Sequence, residues 1–200
     1  METQSRWVRS IASQVRRLRT ERGMSAKQLA ERCAELGVPD LERNVIANLE
    51  NGRRRAVSVD ELLALAVALD TSPVVLMFDF GVHDPAAVTP TVEAHPHLVW
   101  KWFRGEDPLP GTDVRRWQPT VQLVWAFDAL EEAQKRAHEA HTGVHRARFE
   151  GADDRHAAKA YGDALHELAE ARERIRQLGG EPPELGPMMR DDMRELGLEE

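Results

Sequence analysis

Side chains that could form specific hydrogen bonds to a partner are concentrated between residues 25 and 55 of the 200-residue chain. Arginine can pair bidentately with guanine, and asparagine can pair in the same way with adenine. Four positions follow a helical spacing that puts them on one face of a helix. This face is either a binding surface or an ordinary solvated surface. These positions are Arg43, Asn44, Ala47 and Asn48.

Two short amphipathic helices are predicted to carry this segment. The first begins at Ser25, whose hydroxyl can cap free backbone N–H groups, and it ends at residues 37–39. The second covers about residues 41–51, with Asp40 as its N-cap, and Gly52 ends it in a left-handed conformation. Two such helices joined by a short glycine-containing turn are typical of a helix-turn-helix.

Three stretches of sequence resemble one known family. QLAERC, VIANLENGRRR and VDELLALAVALDTSPVVL are similar to the helix-turn-helix of the lambda-repressor/Cro class, also called the xenobiotic-response-element class, in its actinobacterial-type members. The resemblance covers about residues 8–77. It implies a five-helix, lambda-repressor-like DNA-binding domain whose third helix enters the major groove of double-stranded DNA.

The resemblance also implies roles for individual residues. Family positions that match Arg43, Asn44 and Asn48 face base edges, and we include the neighbouring Ala47 in the base-reading set. Other residues at the ends of the two helices would bind phosphate, which positions a protein without reading sequence. These phosphate-binding candidates are Ser25, Lys27, Asn51, Arg53, Arg54 and Arg55.

One further pair is implied by the same resemblance. Arg19 and Glu50 match family positions that join helix 1 to the end of helix 3. We expect a partly buried ion pair here, and such pairs fix orientation more than they stabilise. The prediction is therefore a structural role for both side chains.

Charge is distributed unevenly along the chain. The net charge is −7, yet residues 1–80 hold 12 Lys and Arg against 11 Asp and Glu, whereas residues 81–200 hold 15 against 23. Salt screens exposed charges over about 8–10 Å, so a local basic face can still contact phosphate. The acidic C-terminal part is a poor surface for DNA.

The whole chain is predicted to be all-α, in four parts. Residues 1–80 form the DNA-binding domain, and residues 81–119 form a connector rich in proline and tryptophan that includes a short helix. Residues 120–180 form two long helices that fold back as an antiparallel hairpin, and residues 181–200 form a flexible tail. Because a lone hairpin buries little apolar surface, we expect residues 120–178 to pair in a homodimer.

Three other groups of side chains are of types that can support chemistry. Three histidines share one helix face and could bind a metal, although scattered surface histidines are the commoner case. Cys33 lies on an apolar face, where a free cysteine behaves as a small hydrophobic residue. The histidines are His138, His141 and His145, and the aromatic side chains that could line an effector pocket are Trp100, Trp102, Phe103 and Trp117.

The sequence as a whole predicts a sequence-specific transcriptional regulator that binds double-stranded DNA, expected to be a repressor. It contains no phosphate-cradling glycine loop and no nucleophile motif, so neither an enzyme nor a cofactor or metal is predicted. One cysteine, no signal peptide and no membrane-spanning stretch predict a cytoplasmic protein. Two alternatives remain: an antitoxin-like or adaptor-like module whose C-terminal helices bind a protein, and a regulator that senses an effector or a metal.

Overall fold

A computed structural model describes residues 5–78 and 86–198 of the chain. The chain divides into two compact units, residues 1–100 and residues 101–200. Helices are the main secondary structure of the described residues, and the described strands form one short two-stranded sheet, so the all-α prediction is confirmed. Among the described helices, none combines the length and the apolar character needed to cross a bilayer.

Five helices form the core of the N-terminal unit. They are α1 (Arg6–Glu21), α2 (Ala26–Glu35), α3 (Arg43–Glu50), α4 (Val59–Ala68) and α5 (Pro73–Met77). Their apolar faces meet in one cluster, as the helical spacing of the apolar residues predicts. The members of this cluster with no exposed surface are Val15, Leu29, Cys33, Leu41, Ile46, Leu49, Leu65, Leu69 and Leu76.

Serine side chains fix the starts of α2 and α4. The hydroxyl oxygens of Ser25 and Ser58 each accept a hydrogen bond from the backbone N–H three residues later, at 3.2 Å. The side chains of Gln28 and Glu61 accept in return from the serine N–H groups, at 2.8 and 2.9 Å. Both helices therefore begin with a complete capping box.

The start of α3 differs from the prediction. The helix begins at Arg43 rather than near residue 41, and Glu42 rather than Asp40 holds the N-cap position, without a side-chain capping bond. The reason is a turn in which the Leu41 N–H donates to the Val38 carbonyl at 3.3 Å. This turn puts Leu41 into the core before the helix starts. The helix end matches the prediction, because Gly52 follows with a φ of 70°.

The N-terminal unit continues beyond the five helices into a small hairpin. Strands β1 (Ala86–Thr89) and β2 (Val92–Ala94) pair antiparallel, and α6 (Pro96–Phe103) follows them. The sequence predicts the short helix but not the strands, which have only four and three residues. Strands of that length carry too little alternation to be distinguished from an ordered loop.

Aromatic side chains connect α1 to the segment after α5. Trp7 packs edge-on against Phe78 with ring centroids 5.4 Å apart, and its Nε1 donates to the Val88 carbonyl at 3.0 Å. Phe78 also packs edge-on against Trp100 at 6.1 Å. Trp7 is therefore held in place at the start of α1, and Ser5 caps this helix.

The C-terminal unit contains α7 (Val114–Phe149), α8 (Arg155–Gln177) and α9 (Pro187–Glu195). Helices α7 and α8 fold back on each other as an antiparallel hairpin, as predicted. Ion pairs join the two arms of the hairpin at two points. Near the turn, Arg148 and Asp154 lie 2.7 Å apart, and farther along the helices Arg136 and Glu167 lie 2.9 Å apart. Their shared core is rich in alanine on α7 and in leucine on α8.

Helix α7 starts before the predicted position at Thr120. Asp113 is its N-cap, and the Asp113 carboxylate accepts a hydrogen bond from the Arg115 N–H at 3.1 Å. Pro119 therefore lies inside the helix. It has no N–H to donate to the Arg115 carbonyl, and its ring crowds that carbonyl, so we expect a local bend in the second turn of α7.

The segment predicted to be a flexible tail, residues 181–200, contains the packed helix α9. Met193 has no exposed surface, and Leu185 is also buried in the core of the hairpin. The Tyr161 hydroxyl donates to the Asp192 carboxylate at 2.5 Å. Because α9 covers part of the hairpin, the hairpin does not need a second copy to bury its apolar surface, and the homodimer stays a prediction.

We expect Met193→Ala to lower the opening free energy of the C-terminal unit by about 2–4 kcal/mol, because it leaves a cavity in a fully packed site. Met188→Ala is the matched control, since Met188 is 42% exposed on the same helix. Native-state hydrogen exchange of α8 amides measures both values. Similar small effects of the two substitutions would mean that α9 does not contribute to the core.

Candidate nucleic-acid interface

The four base-reading candidates lie on α3, on the side that faces away from the core. Arg43, Asn44 and Asn48 are exposed, and Ala47 is half-buried. The opposite side of the helix carries Ile46 and Leu49, neither of which has any exposed surface. The burial of one side thus fixes the direction in which the polar side chains point.

A bidentate ion pair attaches the end of α3 to α1. Arg19 donates from Nε and Nη2 to the two carboxylate oxygens of Glu50, at 2.6 and 2.8 Å. Its Nη1 donates to the Met24 carbonyl in the turn before α2, at 2.6 Å. The hydrogen bond to Glu50 raises the pKa of the Arg19 guanidinium. One side chain therefore holds three segments together, in the role that the sequence predicts for this pair.

The candidates at the start of α2 are exposed. The Ser25 hydroxyl takes part in the capping box, and its side chain also remains accessible at the protein surface. Lys27 is exposed and lies 3.6 Å from the Glu31 carboxylate, which is a loose pair at the surface. Such a pair contributes little to stability, so the lysine can turn to an incoming anion at small cost.

The candidates after α3 differ in their surroundings. Asn51, Arg53 and Arg55 are exposed, whereas the side chain of Arg54 is only 27% exposed. Arg54 donates to the Glu61 carboxylate at 2.8 Å and so ties the basic loop to the first turn of α4. Because Arg54 has this structural partner, Arg53 is the better residue with which to test phosphate binding.

A depression of about 650 Å³ next to the end of α3 adds two residues that the sequence analysis did not select. Arg9 and Ser13 of α1 line it together with Arg16, beside Glu50 and Gly52. The sequence does indicate that Arg9 and Arg16 lie on the same helix face, because they are seven residues, or about two helical turns, apart. This face extends the basic surface from the loop onto α1.

The other candidate residues have different environments. Cys33 is fully buried, and burial raises the pKa of its thiol to about 11, so the reactive thiolate is disfavoured. His141 Nε2 lies 3.1 Å from His145 Nε2, and burial followed by the nearby charge of His145 lowers the pKa of His141. Within residues 5–78 and 86–198, no three His, Cys, Asp or Glu side chains are arranged to hold a metal ion.

Each of the aromatic side chains that could line an effector pocket packs against another aromatic ring. Trp100 contacts Phe78 in the N-terminal unit. In the C-terminal unit Trp102 packs edge-on against Phe103, with ring centroids 5.6 Å apart. In the same unit Trp117 packs edge-on against Trp125 at 5.8 Å. These contacts give each of the four aromatic side chains a packing role.

Comparison with known proteins gives one match. A family model described as a helix-turn-helix domain matches residues 10–76, about one third of the chain. The matched segment runs from α1 to α5, and the Ser10 hydroxyl near its start donates to the Leu76 carbonyl at its end, at 3.4 Å. No curated protein and no solved structure matches the chain. The match supports DNA as a partner and a DNA-binding regulator as the general class.

We expect Arg19→Ala to destabilise the N-terminal unit by about 3 kcal/mol, because it leaves the Glu50 carboxylate buried without its cation. Arg17→Ala is the matched control: its pair with Glu21 is exposed, at 48% and 54% of the two side chains. The control should cost less than about 1 kcal/mol. Pulse proteolysis over a urea series, scored by cleavage within residues 6–77, measures both, and equal losses would exclude a special role for Arg19.

Proposed function

We propose that this protein is a sequence-specific transcriptional regulator that inserts α3 into the major groove of double-stranded DNA. The observation that carries the proposal is the polarity of α3, with Arg43, Asn44 and Asn48 exposed on one side and a fully buried apolar side opposite. The helix-turn-helix match over residues 10–76 supports DNA as the partner. A helix held in this way can present the same side chains to each site that it meets.

The proposed reading of bases follows from side-chain chemistry. Arg43 is the first residue of α3, and the N-terminal residues of a recognition helix are those that contact base edges. Its guanidinium suits guanine, and the amides of Asn44 and Asn48 suit adenine. The small Ala47 between them permits close approach to a base pair. Glu42 is exposed at the N-cap position, where its carboxylate could accept from cytosine and would repel phosphate.

The proposed phosphate contacts lie at both ends of this face. At one end, Ser25 and Lys27 begin α2, where free N–H groups and the helix dipole attract anions. At the other end, Asn51 and the arginines of residues 53–55 follow α3, and Arg9 lies on the adjoining face of α1. Contacts of this kind would supply much of the affinity and fix the register of α3 on the duplex.

We further propose that the protein acts as a repressor and binds DNA as a homodimer through residues 120–178. Exposed apolar side chains on α7 support a contact surface there, since Val124 is 42% exposed and Phe149 is 93% exposed. A dimer with twofold symmetry would present two copies of α3 about 34 Å apart, one turn of the duplex, to a palindromic site.

We expect Arg53→Ala to weaken binding to a random-sequence duplex and to reduce the slope of log K against log salt by about 0.9, the value for one lost phosphate contact. Arg194→Ala is the control, because Arg194 is an exposed arginine on α9, outside both the basic loop and the segment proposed to dimerise. Fluorescence anisotropy over a salt series gives both slopes. The same change in both variants would show a general charge effect and contradict a phosphate site at the basic loop.

We expect Arg43→Ala to cost about 1–3 kcal/mol on a duplex selected for tight binding and to have little effect on random-sequence duplex. Arg53→Ala should instead weaken both duplexes to a similar extent. Competition binding with the two duplexes measures the ratio of affinities. Equal losses for Arg43→Ala on selected and random DNA would rule out Arg43 as a base-reading residue.

A further inference from the structure

Two imidazole rings on α7 face each other in the C-terminal unit. His141 and His145 are four residues apart, so their side chains leave the same face of the helix one turn apart. The centroids of the two rings lie 4.4 Å apart. Their Nε2 atoms lie 3.1 Å apart. The two nitrogens are therefore close enough to share a single partner.

The distance between the two nitrogens matches the spacing of two ligands on one metal ion. Imidazole nitrogens bind Zn²⁺ at about 2.0–2.1 Å. Two bonds of this length at a right angle put the nitrogens about 2.9 Å apart, and at the tetrahedral angle about 3.3 Å apart. The observed 3.1 Å lies between these values. An ion could therefore bind both nitrogens with little movement of either ring.

A hydrogen bond between the rings is the other way to form this contact. It requires one Nε2 to carry a proton and the other to accept it, whereas a metal ion bonds to a lone pair on each nitrogen. Both states use neutral imidazole, which is the ordinary form of histidine at pH 7. A metal ion can thus take the place of the shared proton, while each ring keeps its other proton on Nδ1.

The surroundings of the histidine pair also favour a cation. The His141 ring packs against the Tyr161 ring with centroids 5.1 Å apart, and the Tyr161 hydroxyl donates to the Asp192 carboxylate at 2.5 Å. This carboxylate is close enough to act electrostatically on His141, and a negative charge there attracts a bound cation. His145 is exposed, so an incoming ion and its water ligands can reach the pair from solvent.

We propose that His141 and His145 bind a divalent first-row transition-metal ion, with water in the remaining coordination positions. Imidazole is a good ligand for Zn²⁺, Ni²⁺ and Cu²⁺, whereas Mg²⁺ prefers oxygen. Within the described residues no group of three His, Cys, Asp or Glu side chains is arranged around an ion, so the ion should exchange with solvent. The site does not depend on the proposal that α3 binds DNA.

The test is calorimetric titration of the 200-residue chain, without a polyhistidine tag, with Ni²⁺ and with Zn²⁺ in a buffer that does not bind metals. Mg²⁺ is the control ion of equal charge. At least one of the two transition metals should bind with a Kd of about 100 μM or tighter, and Mg²⁺ should not bind at about 1 mM. The absence of binding by both Ni²⁺ and Zn²⁺ at about 1 mM would overturn the proposal, as would equal binding of Mg²⁺.

His145→Ala and His166→Ala form a matched pair of variants, because each removes one exposed histidine from the α7–α8 hairpin. The His166 ring contacts the Gly162 carbonyl through Nδ1. His145→Ala should weaken metal binding by about tenfold or more, since the second nitrogen of a chelate binds at a high effective concentration. His166→Ala should change the Kd by less than about twofold. Equal losses in the two variants would overturn the proposal.

A transposed variant tests the spacing itself. Arg146 is exposed beside His145, so the double variant His145→Arg, Arg146→His keeps the composition and the net charge of the chain. It changes the separation of the two histidines from four residues to five, which moves the second ring from about 40° to about 140° around the helix. This variant should lose as much metal affinity as His145→Ala. Retention of the original Kd, with circular dichroism unchanged, would contradict chelation by the pair.

Discussion

The ion pair between Arg19 and Glu50 is the contact on which the arrangement of the N-terminal unit depends. It joins α1 to the last residue of α3, while the same guanidinium holds the turn before α2 through the Met24 carbonyl. Hydrophobic packing determines how deeply α3 lies in the core. It constrains the rotation of α3 about its axis and the position of its end less strongly. A directional, bidentate bond supplies that constraint. The positions of the proposed base-reading side chains therefore depend on this ion pair.

The C-terminal unit reaches a compact core by a different route. The α7 face that packs on α8 is mainly alanine, which permits close approach but buries little apolar area per residue. Helix α9 adds Met193 to the core, and Tyr161 bonds to Asp192 on the same helix. The segment after α8 thereby completes the core of the hairpin.

The sequence predicts those features that local chemistry decides. Ser25 predicts the start of α2, and the apolar spacing predicts the shared core. The sequence does not predict the features that depend on distant contacts. Nothing local indicates that Trp7 packs on Phe78, or that α9 is held by a core on α7 and α8. Of the proposed interface, the exposed face of α3 was predictable, whereas the pairing of Arg54 with Glu61 needed the fold.

The central claim is that the exposed face of α3 reads the sequence of double-stranded DNA. The most direct measurement is selection of the 200-residue protein against a library of random-sequence duplexes at near-physiological salt, followed by sequencing. The account predicts enrichment of a palindromic motif whose half-sites are centred about one helical turn apart. An enriched asymmetric motif would retain the reading of DNA by α3 but contradict the symmetric dimer. The absence of any enriched motif would contradict the central claim.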